Sequence, residues 1–122
     1  MAEQEWNRDS ILVSIKKLLG LPEEYEQFDT DIIIHINSVF GTLRQLGVGP
    51  RAGFSISSKE DLWTDFMDNT PALEMVKSYI YFKVRLAFDP PSNSFVVDSM
   101  KKQADELEWR LNVDVETDWT LE

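Results

Sequence analysis

The sequence predicts an all-α fold, a small bundle of about five helices. Three observations carry this prediction. Apolar residues recur at helical spacing through most of the chain, and no run alternates for more than a few residues. Helix starts and stops punctuate those runs, at Gly20, Gly47 and Thr70-Pro71. Two long helices, Pro71–Phe88 and about Asn93–Leu111, meet at Asp89-Pro90-Pro91. Proline there lacks a backbone donor and clashes with the preceding turn, so the two cannot be one helix.

The first helix opens after Asp9 or Ser10, either of which can accept backbone donors at its start. Its apolar face is Ile11, Leu12, Ile15, Leu18 and Leu19. Lys16 and Lys17 fall near its C-terminus, where the helix dipole favours cations. Leu21 to Phe28 reads as an acidic loop. The second helix starts at Asp29 or Thr30 and carries Ile32, Ile36, Val39, Leu43 and Leu46 on one stripe, widened by Ile33 and Phe40. His35, Ser38, Thr42 and Gln45 are expected on its exposed polar face.

Gly47 to Ser57 is the irregular, Gly-rich loop, with Gly47, Gly49, Pro50 and Gly53 as breakers. Phe54-Ser55-Ile56-Ser57 alternates and fits one short extended piece. The loop is the expected place for movement or docking. Ser58-Lys59-Glu60-Asp61 has the form of a capping box opening a short helix with Leu62, Trp63 and Phe66. Thr70 is the expected cap of the Pro71–Phe88 helix, whose stripes are Leu73, Val76, Ile80, Val84 and Ala87, and Met75, Tyr79, Phe82 and Leu86. So much apolar surface predicts burial. The last helix is expected to bury Val96, Met100, Ala104, Leu107 and Leu111, leaving Phe95, Val97 and Trp109 off the seam. Beyond Val113 an acidic, extended segment is expected. Residues 1–122 then form one domain, with 1–8 and 114–122 as flexible tails.

Composition bounds the function. The 122 residues carry 22 acids and 12 bases, a net charge of −10, which argues against gripping nucleic acid through its phosphates. With no cysteine there is no disulfide and no thiolate metal site. No apolar run approaches the roughly 20 residues that span a bilayer, and the polar N-terminus is unlike a signal peptide, so a soluble intracellular protein is expected.

Motifs for chemistry are missing. His35 is the only histidine, and a metal site or general base needs partners it lacks. Glu23, Glu24, Glu26, Asp29 and Asp31 lack the glycine and closing glutamate of a calcium loop. The Gly47-Val48-Gly49-Pro50 run lacks the Lys-Ser/Thr ending of a phosphate loop. No catalytic residue, cofactor or metal is expected. Large aromatics dominate binding surfaces, so the candidate interface residues are Phe54, Ile56, Trp63, Trp109 and Arg110, although Trp63, with Tyr79, also suits the core.

Four segments resemble the head-to-tail connector proteins of tailed bacteriophages and prophages. They are Ile11–Gly20, Phe28–Asn37, Val76–Pro91 with its Phe88-Asp89-Pro90-Pro91 corner, and the Glu106-Leu107-Glu108-Trp109-Arg110-Leu111-Asn112 end. Together they cover most of residues 10–113. The Gly47–Ser57 stretch and the Trp63 segment depart from the pattern. The resemblance implies a structural virion protein, made in the host cytoplasm, whose copies form a ring between the portal and the next neck or tail-completion protein. DNA would pass through without specific binding, and no membrane would be involved. The alternative is a small acidic helical module, such as a phage-encoded regulator, that binds a host protein.

Overall fold

A serine hydroxyl starts the first helix. In the computed structural model, which describes residues 9–120 and their side chains through 116, Ser10 Oγ accepts from the Val13 amide at 3.3 Å and α1 runs Ile11–Leu18. The N-terminal residues expected to fray, 1–8, lie outside the described residues. Helix α2 follows as Asp29–Gln45, α3 as the single turn Trp63–Phe66, α4 as Pro71–Phe88 and α5 as Ser94–Thr120. Among the described residues there is no strand; Ser10 and Leu62 form one isolated antiparallel bridge. Among the described residues the chain therefore forms the expected all-α bundle, with five helices.

Helix α4 is the centre. It packs most extensively on α5 and next on α2, while α1 covers part of α2 and α4. Its buried side is Leu73, Val76, Tyr79, Ile80 and Val84. Met75, Phe82 and Leu86 are half-buried and Ala87 is exposed, so the second stripe, Tyr79 excepted, forms the margin of the core. Thr70 is extended but its side chain makes no capping bond. Pro71 at the first helical position, which has no amide proton to satisfy, is enough.

Helix α5 corrects the expectation in two ways. Its seam is Val97, Met100, Ala104, Leu107 and Leu111, with Val96 turned outward. Asn93 fixes that phase by accepting the Phe95 amide at 2.8 Å and the Val96 amide at 3.3 Å. The helix also continues through the segment expected to be extended, and 114–120 are helical. The seam persists past Leu111 to Val115, which packs against the core and lies over the turn at Gly47. There a β-carbon would come within 3.1 Å of Val115 Cγ1. Burial of that side chain compensates for the acidic neighbours. At ~1.5 Å per residue, the 27 residues of α5 extend about 40 Å, well past the end of α4.

The Gly-rich stretch is tied down by side chains of its neighbours. Asn37, in the middle of α2, accepts the Ile56 amide at 2.7 Å and donates to the Ile56 carbonyl at 3.0 Å. Its amide thus takes the place of a neighbouring strand. Phe54 packs edge-on to Phe40 and Phe66, and Ile56 is buried. The loop expected to move is anchored at three points, the third being the Arg44 Nε bond to the Arg51 carbonyl at 3.1 Å.

Ser58–Asp61 does not open a helix. Asp61 Oδ2 accepts the Ser57 amide at 2.7 Å and the Ser58 amide at 3.1 Å, closing a turn. The helix starts later, where Asp65 Oδ2 accepts the Leu62 amide at 3.0 Å. That turn joins the start of α1. The Ile11 amide donates to the Asp61 carbonyl at 3.1 Å, and Ser10 Oγ donates to the Lys59 carbonyl at 2.6 Å.

Candidate assembly surface

The five candidate contact residues divide between the inside and the outside. Trp63 is fully buried and its indole N–H donates to Ser14 Oγ at 2.9 Å. The Lys77 ammonium lies 5.6 Å from the centre of the Trp63 ring. Ile56 is buried and Phe54 is half-buried in the aromatic cluster with Phe40 and Phe66. These three side chains are held inside the subunit, packed with the hydrophobic core. Trp109 and Arg110 are on the surface. Trp109 is 67% exposed, an unusual state for the largest side chain on an isolated subunit.

The surface around Trp109 is the outward face of α5, opposite the Met100–Ala104–Leu111 seam. It also carries Phe95, 84% exposed. Asp98, Lys102, Glu106 and Arg110 alternate in sign at intervals of four residues, and Arg110 approaches Glu106 to 3.8 Å. Both partners of that pair are well exposed, so it contributes little by itself. An open depression of ≈ 480 Å³ lies on the N-terminal half of this face, lined by Phe95, Asp98, Ser99, Lys102, Gln103 and Glu106. The surface combines two large apolar side chains with both signs of charge, a composition suited to protein contact. Periodicity places Phe95 and Trp109 off the seam, but the depression beside Phe95 follows from side-chain packing that spacing does not encode.

The titratable groups point to structure. Tyr79 is buried and its hydroxyl donates to Glu108 Oε2 at 2.7 Å, joining α4 to α5. Burial, then that hydrogen bond and the negative charges of Glu108 and Asp105, raise the Tyr79 hydroxyl well above its ordinary pKa. His35 is half-buried, with its ring 6.3 Å from that of Phe88, and does not stand on an open polar face as expected. Phe88 at the end of α4 covers it. In the acidic loop, Asp29 is engaged by Lys16 at 2.8 Å. Among the described residues no group of three or more His, Cys, Asp or Glu is placed to hold a metal ion, and no helix is long and apolar enough to cross a membrane.

Lys16 and Asn37 are the residues whose structural roles sequence reasoning missed. Lys16 is buried, and its ammonium also donates to the Glu23 carbonyl at 2.9 Å and the Tyr25 carbonyl at 2.7 Å. Asn37 had a local signal, since asparagine inside a helix competes with the backbone and needs a reason to be there.

Searches for similar curated proteins and for similar solved structures found no match. The sequence does match the family described as phage connector protein, over residues 11–118. That interval contains all of α1 through α4 and nearly all of α5. The chain belongs to the phage connector protein family.

Proposed function

We propose that the protein is a head–tail connector subunit of a phage or prophage. Copies assemble into a ring that joins the portal vertex to the next neck or tail-completion protein, and DNA passes through the ring. The observation that carries the reading is the family match across residues 11–118. The exposed Trp109 and Arg110 on α5 are the proposed subunit or portal contacts, since exposed aromatics and arginine are the residue types that dominate interfaces. Head-to-tail contacts between identical subunits close into rings when the rotation permits. A net charge of −10 favours a channel along which DNA slides without being held. The role is structural and needs no catalytic group or cofactor. Its place is the head–tail junction of the virion, reached after assembly in the host cytoplasm.

Capture by the cognate portal ring tests this directly. Portal and connector should co-purify, and electron microscopy of the complex should show a ring of added density below the portal. Purified virions that lack the protein would overturn the reading.

A further inference from the structure

We infer that the outward face of α5 pairs antiparallel with the same face of a second copy of this chain. The face consists of Phe95, Ser99, Lys102, Glu106, Trp109 and Val113, which follow one another at steps of four, three, four, three and four. All six are exposed.

This series is complementary to itself when read backwards. A two-fold axis level with Ala104 sets Phe95 opposite Val113, Ser99 opposite Trp109 and Lys102 opposite Glu106. Both charges on the face meet their opposites, and the largest side chain meets one of the smallest. Ser99 is part of the depression lined by Phe95, Asp98, Gln103 and their neighbours, so the partner's indole has a recess to enter. A parallel pairing in register would instead set Lys102 against Lys102 and Glu106 against Glu106. The charge order therefore selects the antiparallel arrangement as well as the second copy.

The face is about 27 Å long from Phe95 to Val113 and one helix wide. It is smaller than a standard stable interface, and two chains of charge −10 repel at long range. The dimer is accordingly weak and forms at high protein concentration. An isologous contact closes on itself and cannot propagate round a ring. Trp109 is also a proposed ring or portal contact, so dimer and ring are alternative uses of this face; the dimer is read on the isolated protein, the connector role on virions and portal.

Sedimentation equilibrium of the full chain should show a monomer–dimer equilibrium. Trp109→Ala removes the anchor from both halves and should weaken it by about 30-fold or more. The decisive variant reverses both charges of the face together with their neighbours one turn away: Asp98→Arg, Lys102→Glu, Glu106→Lys and Arg110→Asp. It keeps alternating charges within the helix, so circular dichroism should still report the native helical content. Antiparallel pairing predicts that this variant dimerises with itself and fails to pair with the wild type in a mixture followed by native mass spectrometry. A wild type that stays monomeric at every concentration overturns the inference. So does a variant that pairs with the wild type as well as with itself, or self-association that leaves Trp109→Ala unaffected.

Discussion

Lys16 illustrates how one side chain can hold a loop. An ammonium has three donors, and here they meet the Asp29 carboxylate and the carbonyls of Glu23 and Tyr25. The acidic loop between α1 and α2 is thus wrapped around a buried cation. Removing one member of a buried pair is costlier than replacing both. Lys16→Met should destabilise the fold by about 3 kcal/mol, with Lys16→Met combined with Asp29→Leu losing less, as measured by urea denaturation. Two glycines give opposite outcomes at the same scale. Gly49 has φ +87°, and a β-carbon there would press into the Phe66 ring. Gly41 lies in the exposed middle of α2 with nothing near its missing β-carbon. Gly49→Ala should cost about 2 kcal/mol or more, and Gly41→Ala should add about 1 kcal/mol, both read from thermal unfolding.

At the scale of elements, the Gly-rich segment owes its order to α2. The Asn37 amide satisfies both backbone groups of buried Ile56. Asn37→Leu would leave both without partners and should cost about 2 kcal/mol. Hydrogen exchange at the Ile56 amide should accelerate while the α4 core stays protected. Helix α5 depends on its contacts in the same way. Its end is acidic and gains its packing through Val115 against the Gly47 turn. Val115→Asp should therefore shorten the helix, lowering ellipticity and costing about 1–2 kcal/mol.

At the scale of the whole molecule, α4 and α5 are joined by a polar bond inside an otherwise apolar contact. The Tyr79 hydroxyl has its pKa raised by burial and by Glu108 and Asp105. Below the unfolded-state tyrosine pKa of about 10, the neutral phenol is present in both states and its contribution is complete. Above it, the unfolded chain loses that proton and the folded one keeps it, so stability falls as pH rises. Alkaline unfolding should begin near pH 10, and Tyr79→Phe should flatten that limb while costing about 1 kcal/mol at neutral pH.

The helices and their breaks were legible because their causes are local. Pro71–Phe88 has the predicted bounds, since proline opens it and the Asp89-Pro90-Pro91 corner closes it. Ser10, one of the two candidate caps, starts α1, while Trp63, a candidate contact that also suited the core, is inside. The connector resemblance was legible too, in the segments from Ile11 to Asn112. What a residue packs against is not local. The burial of Lys16 needs the loop closed over it, and the role of Asn37 needs Ile56 beside it. The choice of Val97 over Val96 followed from where Asn93 starts the helix, and the extension past Leu111 from a partner for Val115. The sequence by itself determined the fold class, the helix series and the corner, because spacing, caps and proline act within a few residues. The tertiary structure alone decided which polar groups are engaged inside, Lys16 and Asn37 among them, and gave Val115 the partner that extends α5, because burial depends on neighbours distant in the chain.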